Sequence, residues 1–373
     1  MEHDLENQRT KNYSKLKLFL ISLELTLKKG WLFIFLIINF FIHTKKNNYI
    51  DIGNYKNKDS RFINFLVKSL KSKYNFSYDV SLSIIDFVKK IGIKNFVLNS
   101  TPNIFTKNSN KFKFKLNDQN HNQDELNFNT NYFHDHKEKK LFLPYYMYPK
   151  IYNSSYEQLE KFKYNSKLIK IFFSGSTNNE VYGKFKWFTE AKVKLLNRVE
   201  IIEFIIKNFK EKIFFLKSYE DLYKIDHSKT PIVLSLNDGL IKKTKTNLTN
   251  TQHLELISKS NFILTAPGAD MPLCHHLIEG IKMRTIPISN YANLHKPLIS
   301  ENDYIYFNNY ETLNESIFTA LKMPDEEIKS KQDNLEKFYK ETLSPNSFLN
   351  AFEHRKDNEI ICCNDVESLK WLQ

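Results

Sequence analysis

From Asn48 onward, hydrophobic and polar positions alternate in short blocks that predict strands and helices in turn. Residues 49–53 (YIDIG) read as a strand, and Ser60 stands where it can cap a helix over residues 61–73. Residues 81–91 (SLSIIDFVKKI) have the spacing of a second amphipathic helix closed by Gly92, and residues 94–98 that of a second strand. Residues 103–140 are rich in Asn, Lys and His and predict a loop region with short strands; 141–149 (LFLPYYMYP) form a proline-bracketed passage between domains. Further on, residues 168–173 predict a strand that breaks at Ser174-Gly175-Ser176, followed by a helix over 191–209. Strands at 231–236 and 262–265 flank a helix at 251–258, and a helix over 271–283 leads into a strand at 285–288. The chain is mostly helical from Tyr310, and no internal repeat is visible. This alternation predicts an α/β protein with parallel sheets covered by helices on both faces.

One block stands apart. Residues 31–42 (WLFIFLIINFFI) lie between Lys28-Lys29 and Lys45-Lys46. A helix of that length spans about 18 Å, short of the roughly 30 Å hydrocarbon core. Two readings stay open: an apolar element docked on the first domain, or an in-plane anchor whose lysines meet anionic headgroups.

The length of 373 residues fits two domains, and 55 basic against 42 acidic residues give a net charge of +13. That charge points to an anionic partner. Yet the basic residues are nearly all Lys, with Arg only at Arg9, Arg61, Arg198, Arg284 and Arg355. Bidentate base and phosphate contacts favour Arg, so a dedicated nucleic-acid reader is not expected. The 8 glycines never cluster into a G-x-G-x-x-G or Walker loop, and the 3 cysteines offer no C-x-x-C or disulfide framework. A reducing, cytoplasmic location follows. G-x-S-x-G and H-E-x-x-H are also absent.

The candidate chemistry concentrates in residues 256–289, LISKSNFILTAPGADMPLCHHLIEGIKMRTIPIS. This reads as helix, buried strand, Pro267-Gly268 turn, helix, buried strand, with Asp270 as cap and Pro272 in the first turn. Ligands of open parallel sheets bind beyond the strand carboxyl ends, near helix N-termini. On the expected helix, Leu273, Cys274, Leu277 and Ile281 make one face, and His275, His276 and Glu279 gather on the other. A carboxylate there can accept from ribose hydroxyls, and a His can donate to a phosphate or sugar oxygen.

This run resembles the donor-binding segment of exostosin-like glycosyltransferases, and more broadly of glycosyltransferases with the two-Rossmann GT-B fold. The likeness is at the level of pattern and covers roughly residues 141–290. It implies a GT-B-like α/β fold, two Rossmann-type domains facing a cleft, with C-terminal helices. It also implies that Glu279 contacts the ribose or sugar of a nucleotide-sugar, and that Ser174, Gly175 and Ser176 (IFFSGS) lie near its diphosphate. Gly268 belongs to the shared turn, and Arg198 falls where the family often has a basic residue. Two departures stand out: His275-His276 replace Ser-Arg or Ser-x-Arg, and Met283-Arg284 replace Cys-Gly before the last strand.

Plainer readings accompany these. Glu279 could be an exposed helix carboxylate paired with Lys282 or with the two His, Gly175 a simple turn residue, and Arg198 a surface residue. His275, His276 and Glu279 also make a possible metal trio, but a paired His-His on one turn suits zinc poorly, so no metal and no cofactor is expected. An inverting transfer needs a base, and Asp51 and Asp59 near the first strand's end are the nearest candidates, against plain helix capping. His134, Asp135 and His136 are rivals.

The sequence expectation is therefore a metal-independent glycosyltransferase of surface polysaccharide or lipopolysaccharide synthesis. Its partners would be a nucleotide-sugar donor, a glycan or lipid-linked acceptor and an anionic membrane surface on the inner side. Nucleic acid is not among them. The alternative is a non-catalytic phospholigand- or membrane-binding module on the same fold. The expected divisions are an apolar and basic segment (1–47), an acceptor-side domain (48–147), a donor-binding domain (148–343) and C-terminal helices packing back toward the first domain (344–373).

Overall fold

A computed structural model describes residues 48–51, 61–78, 100–102, 110–116, 124–133, 140–148, 151–152, 156–183, 196–237, 246, 248–269, 272–290, 294, 301–363 and 368. Outside these lie the expected helix at 81–91, the strand at 94–98, the segment 31–42, Asp59, Asp270 and the trio His134, Asp135 and His136. Among the described residues no helix is long and apolar enough to cross a membrane.

The chain forms two compact units. In the first, β1 (Asn48–Asp51), β2 (Asn75–Tyr78), β3 (Ser100–Pro102) and the start of β4 (Asn110–Leu116) run parallel in the order β3-β2-β1-β4. The register sets Ile50 beside Phe76 and Phe112, and Ile50 and Phe76 are buried.

The second unit contains α1 (Arg61–Leu70), whose Phe62, Ile63, Phe65, Leu66 and Leu70 are buried. It also holds β5 (Glu125–Asn129) and β6 (Leu141–Phe142). The main sheet comprises β7 (Ile169–Gly175), β8 (Ile213–Phe215), β9 (Ile232–Leu236), β10 (Ser260–Thr265), β11 (Ile286–Ser289) and β12 (Ile305–Tyr306). Its order is β12-β11-β10-β7-β9-β8, with every pair parallel. The helices between and after these strands are α2 (Arg198–Asn208), α3 (Asn250–Ser258), α4 (His275–Lys282), α5 (Tyr310–Lys322), α6 (Asp325–Phe338) and α7 (Pro345–Glu353). All residues of β9 and β11 are buried, as expected where helices cover both faces of a parallel sheet. The expected α/β class, with two sheets built from parallel strands and covered by helices, is observed.

From Tyr310 the chain is mostly helical, as expected, and β13 (Glu359–Ile361) follows the helices to enter between β5 and β6, with Ile360 level with Phe128 and Leu141. Ahead of it, α7 packs on α1, where Phe348 meets Phe65 edge-on at 5.7 Å between centroids. Other local expectations are corrected. Ser174 and Gly175 are strand residues, level with Ser235 and Leu236 of β9, because the ladder to β9 carries β7 past the expected break. Helix α4 starts at His275 rather than residue 271, since Cys274 is extended (φ −133°, ψ 137°) and Pro272 lies upstream of it.

Candidate functional site

The second unit's sheet grows first to one side of β7, through β8 and β9, and then to the other, through β10, β11 and β12. The strand order therefore reverses between β7 and β10. Beyond the carboxyl ends of strands flanking such a reversal, neighbouring loops diverge and leave a crevice for ligands. Gly175 closes β7 there, with φ of 157°. A Cβ at Gly175 would lie 3.5 Å from Arg198 Nη1 and 3.9 Å from His276 Cε1, so β7 meets both residues closely.

Arg198 opens α2. The helix start is fixed by a reciprocal cap in which Asn197 Oδ1 accepts from Glu200 N at 2.9 Å and Glu200 Oε2 accepts from Asn197 N at 2.7 Å. The Arg198 guanidinium donates through Nε to Pro267 O at 3.0 Å, through Nη1 to Ser176 O at 3.4 Å and through Nη2 to Ala266 O at 3.4 Å. Its Nη2 lies 3.9 Å from Cys274 Sγ, and the plane sits 4.0 Å above the Tyr182 ring centroid. Arg198 is 6 % exposed, so the surface alternative falls. It clamps the end of β7 to the loop after β10, the loop that carries Gly268.

Helix α4 begins without a side-chain cap, which leaves first-turn N–H groups without that partner. Its expected two-faced character is corrected. Packed against α3, α6, β10 and β11, the helix is buried from His276 to Lys282, and only His275 keeps a half-exposed side chain. Gly280 permits the approach to the sheet: a Cβ there would lie 2.6 Å from Ile263 Cγ2.

Glu279 is fully buried, and Lys282 pairs instead with Glu160, which removes the exposed-carboxylate alternative. Glu279 Oε1 accepts from the Tyr148 backbone N–H at 2.9 Å and contacts His275 Nδ1 at 2.7 Å. Oε2 has no hydrogen-bond partner; His253 Nε2, also without one, is 3.5 Å away. The ring centroids of His253 and His276 are 4.9 Å apart, and those of His275 and His276 4.3 Å. Burial alone would raise the Glu279 carboxyl, but the imidazoles of His275, His253 and His276 outweigh it and hold the group well below the usual range. Burial, reinforced by His275, His253 and Arg198, pushes His276 well below an ordinary imidazole.

With His275 Nδ1–H turned to the carboxylate, Nε2 is left for a ligand. The Tyr148 ring stands 5.6 Å from that imidazole, and both side chains reach solvent. A half-exposed imidazole held by a buried carboxylate at a helix start can donate to, or take a proton from, an anionic ligand.

Of the expected site residues, the structure gathers Gly175, Ser176, Arg198, His275, His276 and Glu279 at one end of the sheet. Ser174 is buried within β7, and Gly268 is half-buried in the clamped loop. Asp51 ends β1 in the first unit, half-buried. Sequence reasoning missed His253, Tyr148 and Tyr182. His253 follows the Thr249–Gln252 capping box of α3, and nothing local distinguishes it from an ordinary surface His. Tyr148 lies in the proline-bracketed stretch assigned to a domain passage.

No protein-family model matches the chain, and no curated protein matches it. Among solved structures, it is similar to a glycosyltransferase from Rickettsia africae ESF-5, with 11 % identity over 83 % of this chain and 97 % of that one, at a TM-score of 0.39. It is also similar to an alpha,alpha-trehalose-phosphate synthase (UDP-forming) from Burkholderia xenovorans in complex with glucose-6-phosphate. There the identity is 9 % over 92 % of this chain and 78 % of that one, at a TM-score of 0.34.

Proposed function

We propose that the chain is a glycosyltransferase that takes a sugar from a nucleotide-sugar and places it on a glycan or lipid-linked acceptor. The observation that carries this reading is the set of side chains gathered at the strand-order reversal. Arg198 clamps Ser176 O to Pro267 O there, and a carboxylate-held imidazole stands at the uncapped start of α4.

In this reading the donor diphosphate seats on the first-turn N–H groups of α4 and on His275 Nε2. Gly175 and Ser176 border it, and Gly268 lets the loop backbone approach. Arg198 acts as a positioning residue, since its N–H groups are turned to carbonyls. Glu279 and His276 act through His275 and through the packing of α4. Charge building on the departing diphosphate is met by backbone N–H groups and imidazole rather than by a cation. Asp51 and Asp59 are the proposed bases for the acceptor hydroxyl. Surface polysaccharide or lipopolysaccharide synthesis is the proposed setting, on the cytoplasmic side of an anionic membrane, with the donor handled by residues 148–343.

The experiment is incubation of the purified chain with a panel of nucleotide-sugars, followed by detection of free nucleoside diphosphate and of transferred or hydrolysed sugar. Turnover of one donor supports the reading. Tight binding with no turnover across donors and acceptors would favour a phospholigand-binding module instead.

A further inference from the structure

Beyond the donor crevice, α3 and α4 share a cluster in which buried ligand-type atoms lack hydrogen-bond partners. His253 Nε2 and Glu279 Oε2 are both shielded from solvent and make no hydrogen bond of good geometry, and they face each other as an ion-pair contact at 3.5 Å. One ligand atom each from His253, His276 and Glu279 falls within 4.8 Å of the others. We infer that His253, His276 and Glu279 form a binding site for a divalent transition-metal ion of the zinc class.

The chemistry of the set supports this. Two imidazoles and one carboxylate are a donor combination that zinc takes, with bonds of about 2.0–2.2 Å to N and O. Neighbouring ligands on a tetrahedron of that size stand about 3.4 Å apart, so the His253–Glu279 separation of 3.5 Å fits one edge. His276 and Glu279 are three positions apart on one helix, which puts both on the side facing α3. A buried carboxylate oxygen with no hydrogen bond is costly, and an ion between Oε2 and His253 Nε2 would satisfy both atoms at once.

Cys274, His275 and His276 make a second such group. It is the poorer choice for a cation, because Arg198 Nη2 stands 3.9 Å from Cys274 Sγ. The expectation of no metal rested on His275 and His276 sharing one turn, and only His276 enters the set chosen here. His275, assigned to the donor, stays outside the set, so the ion's role is to hold α3 on α4 rather than to meet the diphosphate.

The test uses the full chain, stripped with a chelator and titrated with Zn²⁺ by calorimetry, with thermal unfolding followed in parallel. One equivalent bound is expected, with a higher unfolding temperature in Zn²⁺ and at least a hundredfold weaker binding in His253→Ala. His354→Ala, at an exposed imidazole just after α7, should bind as the unaltered chain does. Should His253→Ala fail to fold, Co²⁺ added to the unaltered chain must give the visible absorption of a tetrahedral site. No Zn²⁺ bound, unchanged binding in folded His253→Ala, or no such Co²⁺ band would overturn the inference.

Discussion

Arg198 Nε donates a hydrogen bond to the Pro267 carbonyl at 3.0 Å, which ties the first residue of α2 to the loop leading from β10 toward α4. The same guanidinium bonds Ser176 O and Ala266 O, so one buried side chain satisfies carbonyls just beyond the ends of both strands at the reversal. Arg198→Lys keeps the charge but loses the planar fork that reaches all of them. A loss of about 2–3 kcal/mol in urea unfolding is expected, from orphaned carbonyls and loosened loops. Amide exchange at Gly268 should also speed up. Stability within about 0.5 kcal/mol of the parent, on the scale of an ordinary surface substitution, would deny the clamp.

Gly280 sits where α4 crosses β10. A methyl group there would lie 2.6 Å from Ile263 Cγ2 and 3.3 Å from Thr285 O. Neither neighbour is the free end of a long side chain, so the helix must shift. Gly280→Ala should cost about 1–3 kcal/mol of unfolding free energy despite its better helix propensity. Adding Ile263→Ala should make the pair less damaging than the sum of the single changes, as a double-mutant cycle would reveal.

Arg284 has φ of 55°, in the left-handed region, at the turn between α4 and β11. Its guanidinium pairs with Asp333, and its Nε lies 3.2 Å from Glu336 Oε2. Arg284→Ala removes those partners and keeps the strained backbone, whereas Arg284→Gly removes both partners and strain. The glycine variant should be about 1 kcal/mol more stable than the alanine variant in chemical denaturation. Equal stabilities would mean that the backbone there is not strained.

Lys167 Nζ donates to Met283 O at 3.2 Å and Arg284 O at 3.1 Å, closing the C-terminal end of α4. Burial, with Arg284 nearby, lowers its pKa to about 7. Between that value and the unfolded lysine value of about 10.4, the unfolded chain binds more protons, so stability rises with pH across this window. Below about pH 7 both states are charged and this contribution is flat. Urea midpoints at pH 7, 8 and 9 should climb less steeply in Lys167→Met than in the parent, a comparison that removes the effect of other lysines. Parallel curves would contradict the shift.

Much of the second unit's sheet was legible because parallel strands buried on both faces are short all-apolar runs, as in residues 231–236 and 262–265. The carboxylate–imidazole pair was legible from His275 and Glu279 standing one helical turn apart. Other features depended on contacts distant in sequence. The α4 start shifted because Cys274 is extended, and Ser174-Gly175 joined β7 because β9 lies beside them. The strand β13 has only three residues and gains its place from β5 and β6. His253 enters the cluster only through the packing of α3 on α4. At Arg284 the sequence did carry a clue: the resemblance expects Gly where the backbone proves left-handed.

In the proposed function the carboxylate-held imidazole at the start of α4 receives the diphosphate of a nucleotide-sugar. Calorimetric titration with UDP, GDP and ADP, on the parent chain, His275→Ala and Glu279→Gln, puts that contact to the test. Saturable binding of one nucleoside diphosphate by the parent is expected. Both variants should bind about tenfold more weakly or worse, the size of one lost charge-assisted hydrogen bond, while keeping the parent's circular dichroism. Binding of none of the three by the folded parent, or equal affinity in folded His275→Ala and Glu279→Gln, would contradict it.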